Sequence, residues 1–225
     1  MNEKLNTPAE SGLRFFGSIS GTISHELKNV LAIINENAGL LEDLALLAGR
    51  GTTLDPERLI AIATKVKNQV ERGGGILKNL NQFAHSLDET FRAVELNEII
   101  ELFLKLTERF AAMRGVAVKA RYAPDPLQVR TAPFYLINLL WLCLDFALNA
   151  AGADNLVEIT AEKTAAGAQI RFGRLEKLTE LAGGAHPAQL GAGLLDLLGA
   201  ELLLDTANRE LVVALASNRG VISCR

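Results

Sequence analysis

The sequence predicts an α+β chain of two domains, a long helical hairpin followed by a two-layer domain of mixed helices and strands. Three observations carry this. Apolar residues recur at alternating spacings of three and four through residues 13–87, the pattern changes after Asp88, and from there helical and alternating segments take turns to the C-terminus. With 225 residues, 49% hydrophobic and 22% charged, the chain has apolar material for two modest cores and a composition that excludes extensive disorder.

Residues 1–11 are polar and lack the apolar run of a signal peptide, so a disordered N-terminus with neither leader nor anchor is expected. The helical pattern follows. With Leu13 in position a, the a and d sites are Leu13, Phe16, Ser20, Ile23, Leu27, Val30, Ile34, Asn37, Leu41 and Leu44, and eight of these ten are apolar, enough for a buried seam. The run stops at Gly49-Arg50-Gly51. Asp55-Pro56-Glu57 then supplies an N-cap, a proline in the first turn and an acidic residue near the positive end of the helix dipole, which starts a second helix. Its seam reads Leu59, Ile62, Val66, Gln69, Gly73, Ile76, Leu80, Phe83 and Leu87. Two helices of about 30 residues, near 50 Å long at about 1.5 Å per residue, form a hairpin over 12–90 that cannot close a core alone. A homodimer with a four-helix bundle is therefore expected. Asn37 at a core site either fixes register or partner number, or marks a bundle end opening to water. Gly73-Gly74-Gly75 costs about 1 kcal/mol per glycine relative to alanine and permits close packing or a bend.

The second domain is expected over 95–225. Asn97 to Arg114 reads as an amphipathic helix that Gly115 stops, and Val116 to Tyr122 alternates like a strand. The turn from Ala123 to Pro126 leads to a long apolar helix from about Ala132 to Ala151. Val157 to Glu162 and Gln169 to Phe172 form a hairpin around Ala165-Ala166-Gly167. A short helix near Leu175 to Leu181, a Gly-rich turn, a helix near Leu190 to Leu198 and strands near Glu201 to Asp205 and Glu210 to Ala216 complete the pattern.

Charge excludes several partners. Lys plus Arg number 23 against 26 Asp plus Glu, a net charge of -3 with no basic patch, so neither nucleic acid nor an anionic membrane surface is expected. The most apolar stretch, Phe134 to Ala153, carries Asn138, Asp145 and Asn149, which argues for a buried helix over a membrane span. Cys143 and Cys224 lack metal-ligand spacing and make no disulfide framework, which fits a reducing compartment. The chain is expected to be cytoplasmic.

The segment that carries chemistry is Ser24-His25-Glu26-Leu27-Lys28-Asn29. With Ile23 at d and Leu27 at a, His25 falls at f and points away from the seam, where a structural histidine is seldom placed. Glu26 is adjacent and Asn29 lies one turn on. An exposed imidazole beside a carboxylate that can orient it or take its proton is a plausible phosphoryl acceptor, and Gly17, Ser18 and Gly21 leave room for another protein to approach. As a pattern alone, it is also what a solvated, charged helix face looks like. His85 beside the second seam and His186 before Pro187 have no metal-ligand partners at useful spacing, and both read as structural or solvated.

This segment resembles the H-box of two-component sensor histidine kinases, and Asn81-Gln82-Phe83-Ala84 near the end of the second helix extends the resemblance over the hairpin. The resemblance implies a dimerisation and phosphoacceptor hairpin, with His25 as phosphoacceptor, Glu26 as its general base and Asn29 as the residue that positions water in a phosphatase reaction. Val30 stands where many members have proline. The second half resembles the catalytic and ATP-binding domain of the same kinases, a two-layer α/β sandwich of the histidine kinase ATPase (Bergerat) type, and departs from the pattern. Asp145-Phe146-Ala147-Leu148-Asn149-Ala150 is similar to the N-box, with Asn149 where the family holds Mg²⁺ and Asp145 in place of an earlier asparagine. In place of the Asp-x-Gly-x-Gly turn stands Arg171-Phe172-Gly173-Arg174-Leu175-Glu176, and the ATP lid is short. Gly191 and Gly193 resemble the last glycine box, where N–H groups at a helix start face phosphate.

Two remnants of four boxes imply weak or no ATP binding and no cofactor. The chain is thus similar to histidine phosphotransferases with relic kinase domains, in which His25 would accept and donate a phosphoryl group to aspartates of response-regulator receiver domains. Two other readings stay open at this stage: an active sensor kinase that binds ATP and Mg²⁺ in a divergent pocket, and a pseudokinase scaffold that binds a response regulator without catalysis.

Overall fold

The computed structural model describes residues 7–181 and 191–216. The chain divides into two compact units, one of residues 18–82 and the other of residues up to Gly17 together with Phe83 onward. Helix α1 (Pro8–Gly49) contributes to both.

Helix α1 starts within the stretch expected to be disordered, because residues 7–10 form a capping box. The Glu10 N–H donates to Thr7 Oγ1 at 3.2 Å and the Thr7 N–H donates back to Glu10 Oε2 at 3.1 Å, satisfying two otherwise orphaned donors. Residues 1–6 lie outside the described residues.

In the hairpin unit α1 packs along α2 (Pro56–His85), and the Asp55 carboxylate caps α2 by accepting from the Glu57 N–H at 3.0 Å. Ile23, Val30, Asn37 and Leu44, seven residues apart, are the buried line of α1, met by Ile62 and Gly73 of α2. A Cβ on Gly73 would stand 3.3 Å from Val30 Cγ1, so this glycine lets the two helices approach, whereas Gly74 and Gly75 face open space. Asn37 sits well inside the hairpin at 8% exposure, its amide donating to the Ile33 carbonyl at 2.7 Å. The rest of the α1 seam is incompletely covered, with Ser20, Leu27, Ile34 and Leu41 half-buried, and outside the seam positions Leu31, Ile60, Val70 and Leu77 are exposed.

The heptad frame does not hold at its ends. Leu13 and Leu87 are exposed, while Phe15, outside the a/d sites, is buried. Below Gly17 the helix serves another core. Phe15 packs against Phe83, Phe134 and Trp141 with ring centroids 5.4, 6.0 and 6.1 Å apart, Phe16 stacks on Phe83, and Trp141 meets Phe110 edge-on at 4.4 Å. Ser11 and the fully buried Asn138 exchange a hydrogen bond beside them.

That core belongs to the α/β unit. Strand β1 (Arg92–Glu95) pairs antiparallel with β3 (Gln128–Thr131), a two-stranded sheet the sequence did not announce, since strands of four residues carry too little periodicity. Between them come α3 (Leu96–Met113), capped by the Glu95 carboxylate accepting from the Glu98 N–H at 2.9 Å, and β2 (Ala117–Arg121). Then follow α4 (Pro133–Ala150), β4 (Leu156–Thr164), β5 (Gly167–Gly173), α5 (Leu178–Leu181), α6 (Ala192–Leu198), β6 (Ala200–Asp205) and β7 (Glu210–Ala216). The five-stranded sheet has the order β2-β4-β5-β7-β6, parallel only between β2 and β4. Val157, Ile159, Ile170, Phe172, Leu211 and Val213 are buried, and their neighbours Glu158, Glu162, Gln169, Arg171 and Glu210 form a polar opposite face. Helices cover one side, which gives the two layers. By length and composition α4 could cross a membrane, but it is mostly buried in this unit. Its Cys143 is fully buried, and burial pushes the thiol pKa up, so the group stays protonated. The Gly-rich turn before α6, the residues around His186 and Cys224 fall outside the described residues.

The glycines separate two effects. A Cβ on Gly12 would stand 2.9 Å from Cε1 of Phe134, a ring held by its neighbours, so Gly12→Ala is expected to lower the melting temperature through overpacking. Gly74→Ala meets nothing and is expected to raise stability by about 1 kcal/mol through helix propensity alone. Thermal unfolding followed by circular dichroism reads both signs.

Candidate functional site

In the hairpin unit, His25 is exposed on α1, with Asn29 exposed one turn on and Glu26 half-buried beside it. None of the three makes a hydrogen bond or ion pair with another described residue. Ser18, Gly21 and Ser24 on the same helix are exposed, and a Cβ on Gly17 or Gly21 would meet nothing within 4 Å. The imidazole therefore stands on low ground in water, with a lone pair available to an incoming electrophile and a carboxylate as nearest acid-base neighbour. Heptad position f predicted this exposure from the sequence.

His85, the other described histidine, is engaged. Its Nδ1 lies 2.7 Å from Asp88 Oδ2 at the end of α2, and no group of three or more His, Cys, Asp or Glu residues suited to hold a metal occurs among the described residues.

In the α/β unit, several side chains of the segments that resemble a nucleotide site bond to their own neighbours. Asn149 is exposed near the end of α4, and its Nδ2 donates to the Asp145 carbonyl at 3.0 Å. Asp145 accepts from Arg114 at 2.5 Å, with a second Arg114 nitrogen on the Asp145 carbonyl at 3.3 Å. Arg171, standing in the segment where the family pattern has its aspartate, belongs to the polar face of the sheet. It bonds to Glu162 at 2.7 Å, Gln169 at 2.8 Å and Glu210 at 3.0 Å, and the two carboxylates, Glu162 first, hold its pKa above the ordinary guanidinium value.

The segment after β5 clasps the end of α4. The Lys177 N–H donates to the Ala150 carbonyl at 3.0 Å, the Ala153 N–H donates to Glu176 Oε2 at 3.4 Å, and the Glu176 side chain lies on Gly152 where a Cβ would otherwise be. Arg174, at φ 69° in the left-handed region, donates through Nε to Asp154 Oδ2 at 2.9 Å and through its Nη2 to the same oxygen. That backbone conformation costs of order 1 kcal/mol in a non-glycine residue, and the ion pair holds it. Gly191 is buried as the N-cap of α6 without a side-chain cap bond, and Gly193 is half-buried inside that seven-residue helix.

Asn149 thus donates through Nδ2 within its own helix, Asp145 pairs with Arg114, and Asp154 pairs with Arg174. Arg114, Asp154, Arg174 and Glu176 were missed by sequence reasoning because each pairs across 20 or more positions, and no local pattern encodes such pairs.

No family model matches the chain, and none of the curated proteins matches it. Solved structures similar to it include the nucleotide-free catalytic domain of the histidine kinase ThkA, at 15% identity and a TM-score of 0.46 over 57% of this chain and 98% of that one. The histidine kinase AdeS of Acinetobacter baumannii matches at 13% identity and a TM-score of 0.44 over 87% of this chain and 98% of that one. ThkA in complex with the response regulator protein TrrA matches at 17% identity and a TM-score of 0.45 over 92% of this chain and 63% of that one.

The Asp154–Arg174 pair yields a pH test. Arg174 holds the Asp154 carboxyl below its ordinary range, chiefly by hydrogen bonding. A depressed carboxyl pKa adds stability above the unfolded value, about 3.9, and that stability disappears as pH falls through the folded value. Arg174→Met is therefore expected to lower the melting temperature slightly at pH 7, with the gap from wild type closing as pH drops below about 4.

Proposed function

We propose that this protein is a histidine kinase-like phosphotransfer protein of two-component signalling, in which His25 accepts a phosphoryl group from one receiver-domain aspartate and donates it to another. The observation that carries the reading is the contrast between an exposed, unpartnered imidazole in an H-box-like segment and nucleotide-site remnants whose polar groups are bound to one another. An imidazole nitrogen of His25 attacks phosphorus, the N–P bond forms as the acyl P–O bond breaks, and the aspartate leaves as a carboxylate. The imidazole proton passes to Glu26, and the reverse sequence loads the next receiver. In this reading Asn29, exposed one turn from His25, orients water for release of phosphate. ATP and Mg²⁺ play no part, and the protein has no cofactor of its own.

The hairpin works as a homodimer in this reading. Leu31, Ile60, Val70 and Leu77 stay exposed on two helices that bury only a narrow line of each other, and a second hairpin covering them would complete a four-helix bundle in the cytoplasm.

Incubation with receivers phosphorylated on aspartate tests the reading. Label is expected on the wild type, none on His25→Ala, and no heat is expected on calorimetric titration with millimolar ATP and Mg²⁺. Micromolar ATP binding with self-labelling would replace this reading by that of an active kinase. Receiver binding without transfer, unchanged in His25→Ala, would replace it by that of a scaffold.

A further inference from the structure

Strand β2 is the outer strand of its sheet, paired on one side with β4 and on the other with no described strand. In a parallel ladder alternate residues bond to a given neighbour. The Ala117 N–H donates to the Asn155 carbonyl on the β4 side at 2.8 Å, so the N–H and C=O groups of Val118 and Ala120 point to the open side. Beside them runs a groove of about 380 Å³ between α3 and β2, lined by Leu104, Glu108, Ala111, Val116, Ala117 and Val118 among others. Of the strand itself Ala117 and Val118 line it, so the groove opens beside the first two residues of the β2 edge.

Charge says what fits there. Val118 and Ala120 are half-buried, while Lys119 and Arg121 are exposed on the opposite face. Arg121 bonds to Glu158 at 2.7 Å, and Lys119 has no partner among the described residues. A second copy of β2 would set Lys119 and Arg121 against themselves, the usual protection of an edge from self-pairing, whereas an acidic side chain would find Lys119 free. We propose that the open edge of β2 and the α3 groove form a docking site for an extended segment of a partner protein in which apolar and acidic residues alternate. The segment continues the sheet through its backbone, sends apolar side chains into the groove and sets acidic ones along Lys119. This site is independent of His25 and of the phosphotransfer reading.

A fluorescein-labelled hexapeptide alternating valine and glutamate, titrated against the whole chain by fluorescence polarisation, tests it. Saturable binding is expected, lost when alternate peptide amides are N-methylated and weakened about fivefold by Lys119→Glu. Ala112→Arg, which fills the groove from an exposed position, is expected to abolish binding, with circular dichroism checking that both variants fold. The N-methylated peptide needs no variant, so misfolding leaves the test intact. No saturation at peptide concentrations on the order of 1 mM, or binding that N-methylation and Lys119→Glu leave unchanged, overturns the proposal.

Discussion

Phe15 packs at once on Phe83, which ends the α2 seam, and on Phe134 and Trp141 of α4, and this contact organises the chain. Each aromatic pair adds about 0.5 to 1.5 kcal/mol beyond the area it buries, and the cluster ties three stretches of sequence more than fifty positions apart into one core. Because Phe15 lies outside the heptad a/d sites, α1 cannot serve this cluster and the α2 seam with the same face. It changes partners near Gly17. The first turns of a 42-residue helix thus belong to the α/β unit, and the remainder belongs to the hairpin.

The second constraint is that Asn138, Asp145 and Asn149 of α4, buried or not, each find a partner. Asn138 exchanges a hydrogen bond with Ser11, Asp145 takes Arg114, and Asn149 turns back onto the carbonyl of Asp145. Left unpaired, the fully buried Asn138 amide would cost about 1 to 3 kcal/mol, so its bond to Ser11 stabilises the fold. His25 contrasts with all of them in having nothing to hold it.

The hairpin shows the complementary condition. Its buried line is narrow, Asn37 interrupts it with an amide satisfied inside its own helix, and Gly73 brings the two helices together at Val30. What remains exposed on both helices is aliphatic. Two amphipathic helices each present a stripe broader than one neighbour can cover, and the uncovered part is apolar surface in water.

Periods of 3.6 and 2, with the chemistry of Asp55-Pro56 and Gly115, already encode the long helices, the positions of the main strands along the chain and the outward position of His25. The start of α1 was also legible in Thr7 and Glu10, a capping signal that the polar composition of residues 1–11 obscured. Folding in three dimensions sets the departure of Phe15 from the heptad, the pairing of β1 with β3, and the contacts of Arg114 with Asp145, Arg174 with Asp154 and Glu176 with Ala153. Each of those outcomes joins side chains or strands 20 or more positions apart. Their partners are chosen by the packing of α4 and the sheet, and such packing leaves no periodic trace along the chain.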